Sequence, residues 1–375
     1  MLSSEKFYDS LVHNGIDFFT GVPDSLLKEI CACISDRSSA TNHIIAANEG
    51  AAIALAAGTY LATGKPGFVY LQNSGLGNIV NPLISMADPK VYAVPMLIMI
   101  GWRGEPGVPD EPQHRKQGEI TPAMLDSMSV PYEVLPTELD EAEKVLANLL
   151  TKAKTNSGPV ALLVKKGTFE SYKLPARDES GLVLNREGAA KLVMDSMGDR
   201  DIMVSTTGKT SREVFEYRVE KGIGHERDFL TVGSMGHASQ IALGIAVKKP
   251  NRTVYCLDGD GAVLMHMGSL PIIGCTKLGN FKHVVINNGA HDSVGGQPTV
   301  GFDIDLLAIA QASGYQWTAT ATEPEDIVAQ LEKLKTVAAP ALLEIRVRTG
   351  ARKDLGRPTK TPIENKTDFM NFLTD

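Results

Sequence analysis

The chain has 375 residues, which at about 150 residues per domain allows two or three domains, each long enough to bury a core. Its 37 Lys and Arg against 44 Asp and Glu leave a formal charge of −7, and 43% of its residues are hydrophobic and 22% charged. That balance excludes a disordered chain and argues against a dedicated nucleic-acid binder, which needs a basic surface.

The first residues, MLSSEKFYDS, lack the basic and apolar regions of a signal peptide. The longest apolar run, residues 91–100, is broken by Pro95 and too short to cross a bilayer. No membrane association is expected, and the cytoplasm is the expected location. Helical patterns at 4–13, 25–35, 49–63, 78–86 and 139–154 alternate with short apolar runs at 17–20, 43–46, 67–71, 95–100 and 160–164. After a polar stretch at 175–185 the alternation resumes, with strands predicted at 202–205, 228–231, 253–257, 283–286, 315–319 and 341–346. The pattern predicts an α/β fold of two doubly wound parallel-sheet domains, residues 1–180 and 186–375. In such sheets ligands sit beyond the carboxyl ends of strands. Cys31, Cys33, Cys256 and Cys275 form no Cys-x-x-Cys pair and have no histidine at zinc-finger spacing, so they read as reduced core residues.

Chemistry concentrates at Asp258-Gly259-Asp260-Gly261-Ala262, after one apolar run, and Asn287-Asn288-Gly289, after the next. Asp260 and Asn288 lie 28 positions apart, one strand–helix–strand unit. That spacing predicts a carboxylate and an amide oxygen side by side at adjacent strand ends, the hard donors that Mg²⁺ accepts. Gly259 and Gly261 would let backbone approach a diphosphate, and a helix opening at Ala262 would offer free N–H groups. The bland alternative is a pair of ordinary glycine turns. Other phosphate motifs fail: Thr207-Gly208-Lys209-Thr210 ends like a P-loop, but Met203 stands where the first glycine belongs.

The Gly-Asp-Gly and Asn-Asn pair resembles the signature of thiamine-diphosphate-dependent enzymes, which join a pyrimidine-binding half to a diphosphate-binding half. Both halves carry the likeness: Phe19-Thr20-Gly21-Val22-Pro23-Asp24, Ala46-Ala47-Asn48-Glu49-Gly50, Asn73-Ser74-Gly75-Leu76-Gly77-Asn78 and Gly233-Ser234-Met235-Gly236-His237. The resemblance implies thiamine diphosphate and Mg²⁺ as cofactors, with Asp260, Asn288 and the Ala290 carbonyl on the metal. It makes Glu49 the cofactor activator and Met235 the apolar buttress beside Gly233 and Ser234. Asn73, Thr207, Gly208, Gly259, Gly261 and Ala262 complete the implied cofactor contacts. It also implies a homodimer or larger homo-oligomer, with active sites between subunits.

Finer likeness in residues 21–25, 110–118, 234–238, 295–299 and 352–359 is similar to the 2-keto acid decarboxylases that act on phosphonopyruvate or sulfopyruvate and lack a third domain. The implied substrate is a small anionic 2-keto acid, and the implied product of 3-phosphonopyruvate is phosphonoacetaldehyde. Losing CO₂ leaves charge on the keto carbon that no side chain can delocalise, so a cofactor electron sink is required. Glu49, in an apolar setting of alanines, would donate a hydrogen bond to the aminopyrimidine. His114, expected in a loop, and Asp24 are the candidate proton carriers, with His291 and Asp292 behind them. Ser25, Arg115, Lys116 and His291 are candidate substrate residues, and the basic tail Arg352, Lys353 and Arg357 is a further anion-binding candidate. Competing readings are a carboligase of the same cofactor class and a non-catalytic Mg²⁺/nucleotide-binding regulator.

Overall fold

A computed structural model describes residues 1–174 and 181–374. The chain divides into two compact units between residues 176 and 177. The boundary expected near residues 175–186 falls partly on 175–180, outside the described residues.

The first unit is one parallel sheet of β1 (Phe19–Gly21), β2 (His43–Ile45), β3 (Gly67–Gln72), β4 (Met96–Gly101), β5 (Tyr132–Val134) and β6 (Pro159–Val164). The order is β2-β1-β3-β4-β6-β5. Its central strands are apolar throughout: all six residues of β4 and all six of β6 are buried, as a sheet covered on both faces requires. One cluster, including Phe7, Leu11, Phe19, Phe68, Leu146 and Leu162, packs on one face. Another, including Ile53, Val69, Ile79, Ile98 and Leu163, fills the other.

Two elements escape the sequence pattern. Strand β5 is three residues long, half-exposed, and pairs only with β6, so it carries no apolar run. The helix Pro112–Ser127 contains Gly118 and Pro122 and buries only four residues, His114, Gly118, Thr121 and Leu125. His114 therefore lies in a helical first turn, which corrects the expected loop.

The second unit contains β7 (Ile202–Ser205), β8 (Asp228–Leu230), β9 (Val254–Gly259), β10 (Phe281–Asn287), β11 (Trp317–Ala321) and β12 (Ala341–Arg346). The order is β11-β12-β10-β9-β7-β8. Numbered from its own first strand, this sheet repeats the order of the first unit. Apolar clusters again cover both faces, one around Val214, Tyr255, Val284 and Leu331 and one around Ala242, Cys256, Ile273 and Phe281. Cys31, Cys33 and Cys256 are buried, as expected, but Cys275 is exposed, because the last turn of the helix Ser269–Thr276 turns it outward. Among the described residues no helix is long and apolar enough to cross a membrane.

Candidate active site

In the second unit the parallel register pairs Ile286 with Gly259, so the residues just past the ends of β9 and β10 are neighbours. Asp260 opens the helix Asp260–Met265 there, two residues earlier than expected, with Gly261 and Ala262 in the same first turn. Asp260 is buried, accepts a hydrogen bond from the Thr299 hydroxyl and faces the Asn288 N–H. Burial raises its pKa to about 6, against the Thr299 and backbone N–H groups that pull it down.

The two asparagines divide the work. The Asn287 amide donates to Gly301 O at 2.7 Å and to Glu344 Oε1 at 2.7 Å, while its oxygen accepts the Gly289 N–H at 3.1 Å. It is therefore a brace for the loop. Among the described residues the Asn288 oxygen accepts the Ala290 N–H, at 3.2 Å, which leaves a lone pair for another partner. A buried carboxylate whose ionisation is costly, an amide oxygen and the Ala290 carbonyl form an oxygen donor set that suits Mg²⁺, whose charge would offset that cost.

Around this set the predicted cofactor residues converge. A Cβ built on Gly261 would lie 3.2 Å from the His291 ring and 3.3 Å from Met235 Cε, so Met235, His291 and Gly261 line one spot. Ser234 holds a positive φ of 53° and Gly236 one of 83°, a tight turn beside Gly233 that Ser234 adopts at a conformational cost. Gly208 has φ 91° and ψ −138° at the start of the helix Lys209–Lys221, next to Thr207. His291 is neutral at pH 7, since burial lowers its pKa to about 4. The Asp292 carboxylate is engaged by Arg186 at 2.7 Å and Lys209 at 3.7 Å. Arg352 of the tail pairs with Glu187, Glu216 and Asp354, which takes it out of the anion-binding candidates.

In the first unit Glu49 begins the helix Glu49–Thr63, capped by Asn48, and is buried. Asn78 Nδ2 donates to Glu49 Oε2 at 2.6 Å. A Cβ on Gly75 would lie 2.4 Å from Glu49 Oε1, so only glycine lets the chain pass so close.

The loop after β1 buries Asp24 completely. Its carboxylate accepts from Gln72 Nε2 at 2.5 Å and from the Leu26 N–H at 2.9 Å. Burial pushes its pKa up, against those two bonds and the Arg103 charge. Arg103 was not singled out from sequence. Its Nη1 donates to Ser25 Oγ at 2.7 Å, and its Nε and Nη2 grip Asp110 at 2.8 and 2.5 Å. Burial alone would raise the Asp110 pKa, but the Arg103 guanidinium and the Gly104 and Glu111 N–H groups hold it well below the usual carboxylate range. His114 is 8% exposed; burial and then the Arg103 charge push its pKa down.

Three expectations change here. Asn73 is occupied within the unit, donating to Arg103 O at 2.8 Å and Thr121 Oγ1 at 3.0 Å and accepting the Arg103 N–H at 3.2 Å; its side chain positions a loop. Arg115 and Lys116 are exposed, and Lys116 pairs with Glu119 at 3.3 Å. The cation that reaches Ser25 in this unit is Arg103.

Comparison with known proteins finds matches in both units. The family model described as the N-terminal TPP binding domain of thiamine pyrophosphate enzymes matches residues 1–129, and the C-terminal TPP binding domain matches residues 206–345. A phosphonopyruvate decarboxylase from Streptomyces viridochromogenes is 34% identical over 100% of this chain and 96% of its own length. A sulfopyruvate decarboxylase from Methanosarcina acetivorans is 28% identical over 92% of this chain and 91% of its own. In Methanococcus maripaludis the sulfopyruvate decarboxylase alpha and beta subunits are separate chains, 33% identical over 46% of this chain and 37% identical over 51%. With full-length relatives above 30% identity and both cofactor-binding halves matched, the chain belongs to the thiamine-diphosphate-dependent decarboxylase family.

Proposed function

We propose that the chain converts 3-phosphonopyruvate to phosphonoacetaldehyde and CO₂, with Asp260, Asn288 and the Ala290 carbonyl holding the Mg²⁺ that anchors thiamine diphosphate. The observation that carries this reading is the juxtaposition of Asp260 and Asn288 past the paired ends of β9 and β10, in a chain that aligns end to end with a phosphonopyruvate decarboxylase. Family membership sets aside the non-catalytic regulator.

The C–C bond to the carboxylate breaks, its electron pair remains on the former keto carbon, and one proton is taken up there to give the aldehyde. Bound thiamine diphosphate supplies the electron sink for that pair. Glu49, fixed by Asn78 and Gly75, is the group placed to exchange a proton with the aminopyrimidine. Met235, Gly233 and Ser234 would support that ring, and Thr207, Gly208, Gly259, Gly261 and Ala262 would face the diphosphate. Asn73 supports the site by fixing the Arg103 backbone. Asp24 and His114 are the proton carriers: burial disfavours the charged form of each, raising the pKa of the carboxyl and lowering that of the imidazole. Ser25 and His291 would contact the substrate. The chain acts as a homodimer or larger homo-oligomer, a reading that rests on the family likeness, and sedimentation of a fully active monomer contradicts it.

CO₂ release from phosphonopyruvate, sulfopyruvate and pyruvate, measured in parallel, tests the substrate. A kcat/KM for phosphonopyruvate at least tenfold above the other two supports the reading. A preference for sulfopyruvate replaces it with the sulfonate reaction, and equal rates remove the anionic group from recognition.

A further inference from the structure

We propose that Arg103, held rigid by Asp110, reads the anionic end group of the substrate, in place of the exposed Arg115 and Lys116. The inference rests on the decarboxylase reading and assigns its specificity to a residue of the first unit. A dianion needs a cation with unspent donors, fixed in place and shielded from bulk water.

Arg103 meets each condition. Its side chain is 18% exposed. A guanidinium has five N–H donors; Nε and Nη2 give one each to Asp110 and Nη1 gives one to Ser25, which leaves two. Asp110 is itself saturated, because the Gly104 and Glu111 N–H groups bind it at 2.8 Å each. It is a fixed brace, ionised across the physiological range, and the fork it grips cannot swing. Asn73 locks the Arg103 backbone from both its N–H and its carbonyl.

A second, independent observation points to a ligand in the same place. Gln113 Oε1 is buried without a hydrogen-bond partner, and beside it on the first two turns of the helix Pro112–Ser127 the His114 ring bonds the Gln117 side chain. A buried acceptor is costly to leave unpaired. His114 is more than nine-tenths buried and senses the charges of Arg103, Asp110 and Asp24. A protonated phosphonate oxygen, or a hydroxyl of the hydrated keto acid, is a donor that Gln113 Oε1 lacks. Arg115 and Lys116 cannot substitute, because their neighbour His114 points inward while they are exposed.

The test uses the full chain loaded with thiamine diphosphate and Mg²⁺, and 3-phosphonopropanoate as an unreactive probe, with butanoate as its uncharged-end counterpart. Arg103→Lys keeps the charge and loses the fork. Calorimetry should show 3-phosphonopropanoate binding weakened about tenfold to hundredfold, the effect of losing a hydrogen bond to a charged group, with butanoate binding changed less than threefold. Equal weakening of both probes marks Arg103 as merely structural and overturns the inference. So does a loss confined to Arg115→Ala or Lys116→Ala. Should Arg103→Lys fail to fold, the wild-type chain still decides: the probe should protect Arg103, not Arg115, from phenylglyoxal as read by mass spectrometry, and protection of Arg115 alone overturns the assignment. A wild-type chain that releases no CO₂ from phosphonopyruvate fails the functional reading itself. One that does release it, while Arg103→Lys binds the probe as tightly as wild type, fails only this inference.

Discussion

The two units share one strand order and build their polar sites in opposite ways. In the second, the key groups stand directly on strand ends: Asp260 follows β9 and Asn288 follows β10, and the parallel register places them together. In the first, Asp24, Ser25 and Arg103 stand on loops and are joined from far apart in sequence, with Gln72 at the end of β3 reaching Asp24 across 48 residues and Arg103 reaching Ser25 across 78. Strand-end sites are fixed by the sheet and cost little to maintain. Loop-built sites need braces, which is what Asn73, Asp110 and Gly75 supply. The first kind suits an invariant cofactor anchor, and the second leaves room for substrate choice.

The contrast can be broken most sharply at Glu49. Glu49→Gln should lower kcat by about 10²- to 10⁴-fold, the range of a lost proton-transfer group, without changing the melting temperature by more than a few degrees; retained activity in steady-state assays removes the activator role. Asp260→Asn should next cost about a hundredfold in Mg²⁺-dependent cofactor affinity, since a ligating carboxylate becomes a neutral amide. The same change should stabilise the metal-free chain at pH 8 by about 3 kcal/mol, because burial raises that pKa from 3.8 to about 6. The sign is set by the raised value: the penalty is absent below about pH 4 and complete above about pH 6. Urea unfolding of both proteins at pH 4 and pH 8 checks it, and an equal difference at both pH values contradicts it. By the same linkage, Mg²⁺ affinity should fall as pH drops through about 6, when a proton competes for the carboxylate; calorimetry at pH 5 and 7.5 measures this.

Gly75→Ala should have the smallest effect on activity of the three, acting through the loop-built site. Its Cβ would meet Glu49 Oε1 at 2.4 Å, so kcat should fall about tenfold with a stability loss of about 1–3 kcal/mol. Unchanged kcat would show that the Glu49 carboxyl has slack and that the brace is unnecessary.

What the sequence made legible follows the same division. Asp260 and Asn288 could be paired from their spacing because a strand–helix–strand unit in a parallel sheet has one predictable geometry. Eleven of the twelve strands were recognisable within two residues, β1 included; the short edge strand β5 was hidden because it has no apolar run. Arg103 and Gln72 gave no signal, and Asp110 and Asn78 stood in motifs without a role of their own, since nothing local records which loop closes on which. Arg115 and Lys116 misled for a related reason. They follow His114 in sequence, but in a helix successive residues turn by about 100°, so the neighbours of a buried histidine point elsewhere. The helix went unseen because Gly118 and Pro122 interrupt its pattern.

The most direct test of the account is ³¹P nuclear magnetic resonance of the purified chain with 3-phosphonopyruvate, with and without thiamine diphosphate and Mg²⁺. The account predicts phosphonoacetaldehyde in one-to-one yield with CO₂, only when both cofactors are present and abolished in Asp260→Asn. Phosphonoacetaldehyde formed at the same rate without thiamine diphosphate, or none formed with both cofactors bound, would contradict it.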